Sequence, residues 1–171
     1  MRNPFTRLGL AAALASAAAD QALKLWLLFV FDLGARGRVH LAPFLDLVLT
    51  WNRGISYGLF QQDGPMGRWS LLGLKAVAVA LLAFWLTRAA SRMTALALGL
   101  IIGGAVGNAI DSLLYQGAVA DFVLLYISRP TWSFEWYVFN LADAAIVAGV
   151  IGLLYEALRG EGAAKAPRSG P

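Results

Sequence analysis

The chain has no cysteine among its 171 residues and a single histidine, His40. The first absence excludes disulfides, thiolate metal sites and a cysteine nucleophile. The second removes the usual metal ligands and argues against a Ser–His–Asp arrangement, so neither metal nor cofactor is expected. Charge is scarce as well. Only 14% of residues are charged and 59% are apolar, whereas a soluble domain carries about a quarter charged residues. That balance points to lipid rather than to a large water-facing surface. The formal charge of +4 invites a nucleic-acid reading, but the Lys and Arg residues lie scattered between apolar segments. They read as topology signals and headgroup contacts, with membrane lipid and not nucleic acid as the partner.

Long apolar runs are what the chain has in abundance. Four stretches, about 8–31, 69–87, 93–111 and 138–158, each approach the ~20 residues that cross ~30 Å of hydrocarbon. Trp26, Trp69, Trp85, Trp136 and Tyr155 sit near their ends, as an interfacial belt requires. The first 19 residues also have the look of a secretory signal, with Arg2 and Arg7, an apolar core, and Ala17-Ala18-Ala19. The apolar run resumes at Ala22 and continues to Phe31, however, and a retained first helix is expected. The fold class expected is an all-α membrane protein: one domain over 1–159, four transmembrane helices, and a small extracytoplasmic β element between helices 1 and 2.

Arg2 and Arg7 precede the first span, Arg88 and Arg92 fill the short turn between the second and third, and Arg159, Lys165 and Arg168 follow the fourth. Their density near helix ends predicts both termini in the cytoplasm, with 32–68 and 115–137 outside. Within the first outer segment Leu45, Leu47, Leu49 and Trp51 alternate with Asp46, Val48, Thr50 and Asn52, the period of a strand. Gly54 and Gly58 bracket a second extended piece. Gly99, Gly103 and Gly107 recur at spacing four on helix 3, a stripe that lets another helix approach closely. The Ala/Gly/Pro/Ser-rich segment 160–171 reads as a disordered tail.

Ionisable residues inside membrane helices are costly unless paired, and each is a functional candidate. Asp20 and Lys24 lie at i and i+4 and can pair. Lys75, near the start of the second span, is expected to snorkel to the surface in a structural role. Asn108 and Asp111 end helix 3, and Asn140 and Asp143 begin helix 4, each pair three apart on one helical face. Asp121 lies between them. Three carboxylates, Asp111, Asp121 and Asp143, thus converge near the outer boundary. Two acids sharing a site do not both ionise readily, so one keeps a proton and the pair can work as acid and base. Spacing alone leaves open a catalytic dyad, polar packing or an ion path.

At these residues the chain resembles bacterial lipoprotein signal peptidase (signal peptidase II), a membrane aspartic protease family. Five blocks carry the likeness in the family's order: Asp20-Gln21-x-x-Lys24, Asn52-Arg53-Gly54-x-x-Tyr57-Gly58, Gly103-Gly104-Ala105-x-Gly107-Asn108-x-x-Asp111, Val119-x-Asp121-Phe122, and Phe139-Asn140-x-Ala142-Asp143-x-x-Ile146. The resemblance implies that Asp121 and Asp143 are the catalytic pair. It assigns supporting or substrate-contacting roles to Asp20, Lys24, Asn52, Arg53, Gly54, Asn108, Asp111 and Asn140. The implied substrate is a prolipoprotein whose cysteine already carries diacylglyceryl, cut just before that cysteine by a monomeric enzyme. An ion-coupled transporter is the alternative. One departure stands out: Ser112 occupies the position after Asp111 where the family usually has Arg. Arg53 or Arg129 is the expected replacement for that cation.

Overall fold

The computed structural model describes residues 3–53 and 65–165. Helix α1 (Pro4–Leu25) runs into a π-helical stretch, Trp26–Val30, and a single turn, α2 (Leu33–Arg36). Strands β1 (Val39–Ala42) and β2 (Leu45–Asn52) follow, then helices α3 (Pro65–Thr87) and α4 (Arg92–Leu114), strands β3 (Val119–Arg129) and β4 (Trp132–Glu135), and helix α5 (Leu141–Lys165). Four helices are long and apolar enough to span a bilayer: Pro4–Val30, Trp69–Thr87, Arg92–Leu114 and Leu141–Arg159. Large apolar side chains on α3 and α5, among them Leu81, Phe84, Ile151 and Leu154, are exposed. They face outward where lipid would solvate them.

Local chemistry sets the helix starts. Asn3 caps α1 by accepting from the Phe5 N–H at 3.0 Å, with Pro4 at the first helical position where its missing donor costs nothing. The same Asn3 amide donates to the Ala89 carbonyl at 2.8 Å, tying α1 to the α3–α4 turn. Ser91 caps α4 by accepting from the Thr94 N–H at 3.0 Å.

Helix α4 is the most enclosed span, and α1, α3 and α5 all pack on it. The glycine stripe faces α1 as expected. A Cβ on Gly99 would collide with the Gly9 carbonyl, and one on Gly103 with the Ala13 carbonyl. At Gly107 it would sit 2.7 Å from the Asp20 carboxylate. Small residues here bring α1 close enough for its acid to enter the site.

The sheet is larger than the sequence suggests. It has four antiparallel strands in the order β1-β2-β3-β4, two of them drawn from the segment after α4. The alternation in Leu45–Asn52 identifies β2, but β3 is an almost unbroken apolar run from Val119 to Ile127 with no period-2 signal. Its first residues, through Phe122, are buried, and a strand enclosed in this way has no reason to alternate. Arg38 ties the sheet across its width, reaching buried Asp46 on β2 and Glu135 on β4.

Several helix boundaries differ from the sequence reading, two of them by the addition of polar or small residues. Helix α3 begins at Pro65, four residues before the apolar run, and α5 continues through Gly160 to Lys165. The segment 161–165, Glu-Gly-Ala-Ala-Lys, holds enough good helix formers to prolong a helix already started. Residues 166–171, and Gly54, Tyr57 and Gly58 of the second block, lie outside the described residues.

Candidate active site

The ends of α1 and α4, the start of α5, and strands β2 and β3 meet at one polar cluster. Its centre is Lys24, which is 2% exposed. The ammonium lies 2.8 Å from Asp20 and 2.9 Å from Asp111, both of them buried, and donates to the Asn108 side-chain oxygen at 3.2 Å. The intrahelical Asp20–Lys24 pair expected from spacing is thus a three-residue ion cluster. Gln21 completes it, donating to Asp111 at 2.8 Å and to the Gly107 carbonyl at 3.1 Å.

Each supporting acid also holds a piece of backbone. Asp20 accepts the Ala142 N–H at 2.9 Å, and Asp111 accepts the Ala120 N–H at 3.0 Å. Ala142 immediately precedes Asp143, and Ala120 immediately precedes Asp121. Lys24 therefore fixes two carboxylates that in turn fix the chain one residue before each member of the expected catalytic pair.

Asp121 and Asp143 come together through Asn140, which is fully buried. The Asn140 amide donates to Asp121 at 2.6 Å. Its oxygen accepts the Asp143 N–H at 3.0 Å, while the Asn140 N–H donates to the Asp143 carboxylate at 3.1 Å. The last two bonds form a reciprocal cap on the first turn of α5, so the residues that start the helix also aim its acid. Asn108 donates to the other Asp143 oxygen at 2.8 Å, and Asn52 donates to Asp121 at 3.0 Å. Asn52 can do so because β2 pairs with β3 in the register Thr50↔Asp121 and Asn52↔Val119. The tight turn after α4, with Gln116 and Gly117 at positive φ and the Gly117 N–H on the Ser112 carbonyl, folds β3 back over the helix end.

The two acids are not equivalent. Asp121 is buried, and Asp143 is half-buried. Burial pushes the Asp121 carboxyl up to about 6, the amides of Asn52 and Asn140 pull it down, and neighbouring Asp143 pushes it up again. One member of the pair is thereby suited to carry a proton near neutrality.

Of the residues marked out in the sequence, Asp20, Lys24, Asn52, Asn108, Asp111, Asp121, Asn140 and Asp143 form one connected network. Arg53 does not join it. It lines a separate cavity of about 340 Å³ with Trp51, Leu114, Tyr115, Gln116 and Ala118. Gly54 lies outside the described residues. Arg129 sits eight residues along β3 from Asp121, roughly 26 Å at ~3.3 Å per residue, too far to serve the site. The residue that reaches Ser112 is Lys75, whose ammonium donates to the Ser112 hydroxyl at 2.9 Å. Lys75 points inward, not to the surface: its position shows that it can snorkel, but the direction depends on where a polar partner lies. Asp20, Asp111 and Asp143 collect at one end of the bundle, while Glu156 lies near the other end of α5.

The family model for signal peptidase II matches residues 12–159. The chain belongs to the signal peptidase II family. It is 60% identical over 161 residues to a lipoprotein signal peptidase of Nitrobacter hamburgensis, covering 94% of this chain and 98% of that one. A lipoprotein signal peptidase of Methylorubrum extorquens is 58% identical over 153 residues, with 90% of this chain and 86% of the relative covered. The fold of this family member is shared with a bacterial membrane enzyme solved by the in meso method at 2.3 Å. The TM-score is 0.74 at 22% identity, over 95% of this chain and 94% of that chain. A second bacterial membrane enzyme, solved by the same method at 1.9 Å, gives 0.69 at 23% identity over 88% and 92%. The resemblance met in the five sequence blocks thus holds over almost the whole peptidase.

Proposed function

We propose that this peptidase is an aspartic endopeptidase that releases the signal peptide from diacylglyceryl-modified prolipoproteins, cutting just before the lipidated cysteine. The observation that carries the reading is the bridging of Asp121 and Asp143 by one buried amide, Asn140, with both acids fixed from behind by the Lys24 cluster. In this mechanism Asp121, its carboxyl held up by burial, keeps the proton and donates it to the scissile carbonyl oxygen. Asp143 takes a proton from the attacking water; as the tetrahedral intermediate collapses, Asp143 gives that proton to the leaving amine and Asp121 takes one back from the intermediate's hydroxyl. The family membership and the four apolar helices support a place in the bacterial cytoplasmic membrane, and the charge of the helix flanks supports cytoplasmic termini with the site at the outer face, where the enzyme acts as a monomer in this reading.

The reading is tested with purified protein and two precursors in one detergent, differing only in whether the cysteine carries diacylglyceryl. The lipidated form should be cut at least about tenfold faster in kcat/KM, because the lipid anchor supplies affinity and register at a boundary site. Equal rates for the two precursors would remove the lipid from the recognition scheme.

A pH dependence follows from Asp121. As the proton donor it is active below its pKa, so kcat/KM should fall as pH rises through about 6. Replacing Asn52 by Leu removes an amide that favours the carboxylate, and the alkaline limb should then move to higher pH. A limb that stays in place, or moves down, would reverse the roles given to the two acids.

A further inference from the structure

The machinery so far uses Lys24 but not Lys75. A lysine within an apolar span is expensive to insert and is kept where it has a task. Among the described residues Lys75 has no ion pair. Its ammonium donates to Ser112 at 2.9 Å, and the Ser112 hydroxyl donates onward to the Asn108 carbonyl at 2.9 Å. Asn108 is the residue whose side chain holds Asp143, so Lys75 is linked to that acid through two residues, Ser112 and Asn108. An ammonium has three donors, and Ser112 takes one. The other two have no acceptor among the described residues, in a region where an unmet donor is costly.

The surroundings indicate what the missing acceptor is. Helices α3 and α5 both pack on α4 but make no comparable contact with each other. Counted from the short turn that joins α3 and α4, Lys75 lies about 18 Å up α3 and Ser112 about 30 Å up α4. The lysine chain therefore rises to the site from within the membrane. A signal peptide is apolar and occupies that side, and an extended segment entering a protease site brings backbone carbonyls with no water to bind them. Ser112 stands where the family pattern has arginine. A guanidinium at 112 and an ammonium bonded to the side chain of 112 would fill the same corner.

We propose that Lys75 is a substrate-contacting residue of this peptidase, its ammonium anchored by Ser112 and donating to a backbone carbonyl of the signal peptide beside the scissile bond. The proposal rests on the peptidase reading above. It is tested by cleavage of a diacylglyceryl-modified prolipoprotein with the full-length protein. Lys75→Met keeps length and apolar volume but loses the charge. It should cut kcat/KM about 10- to 100-fold, the loss expected for one charge-assisted bond, mainly through KM and with the melting temperature little changed. Lys75→Arg should retain most activity. Lys75→Met combined with Ser112→Arg should recover most of the loss, because the cation returns from α4. A Lys75→Met enzyme as active as the parent overturns the proposal. So does a double variant that melts normally yet is no better than Lys75→Met. Should Lys75→Met fail to fold, Lys75→Gln keeps a donor for Ser112 without the charge, and parental activity there overturns it equally. A parent chain that cuts no prolipoprotein defeats the peptidase reading itself, a result distinct from a Lys75 variant that cuts as well as its parent.

Discussion

Asparagine at position 121 or 143 should leave a folded, inserted protein whose cleavage rate falls by about 10²- to 10⁴-fold, the usual contribution of a positioned acid or base. Asparagine keeps the size of the side chain and its one amide oxygen can still accept from Asn140 at 121, or from either Asn108 or the Asn140 N–H at 143. What it loses is the exchangeable proton. Because the two acids act as a unit, the double replacement should be barely worse than either single one. The check is single-turnover release of signal peptide, paired with thermal unfolding of each variant in the same detergent. Residual rates within tenfold of the parent in either single variant would end the assignment of this pair. If instead both variants lose their thermal transition, the acids serve packing.

The second large effect concerns stability. Lys24→Met should destabilise the protein by about 3–5 kcal/mol, the cost of breaking a buried ion pair by removing one partner. Methionine fills much of the volume, so a cavity is not the cause. Asp20 and Asp111, both essentially buried, would be left facing each other without the cation. They must then take up protons or draw in water, and in either case their grip on the Ala142 and Ala120 N–H groups weakens. Activity should fall with stability, since those two bonds set the backbone before Asp143 and Asp121. Unfolding in detergent against a graded denaturant gives the measurement. A Lys24→Met protein with the parental midpoint would mean that the cluster holds together without its cation.

How much of this could be read from the chain depends on the kind of signal each element carries. Helices α1, α4 and α5 announce themselves by length and apolarity, and the partners Asp20 and Lys24 by their spacing on one helix. Strand β2 alternates apolar residues with mostly polar ones, and it was legible; β3 has its buried start and an apolar run, and it was not. Seven of the eight site residues that form the network were marked by being polar in or beside apolar surroundings, and Asn52 by the family resemblance alone. Gln21, by contrast, is a polar residue beside two charged ones, and nothing in its spacing shows that it reaches Asp111. The role of Lys75 is invisible for a different reason. Sequence gives its depth along α3, whereas its role depends on the rotation of α3 about its own axis, which is set by packing on α4. Arg53 and Arg129 were reasonable replacements for a missing arginine by proximity in sequence, but the strand direction carries Arg129 away and Arg53 lines another cavity.

The arrangement around Lys24 also bears on how the protein is assembled. Asp20 and Lys24 belong to a single helix, so α1 carries these two charges into the bilayer already paired. Asp111 arrives with α4, and the Ala142 N–H arrives with α5, which follows it in the chain. Neither Asp121 nor Asp143 has its full set of contacts until α5 docks. A chain made only as far as β4 therefore holds an incomplete site.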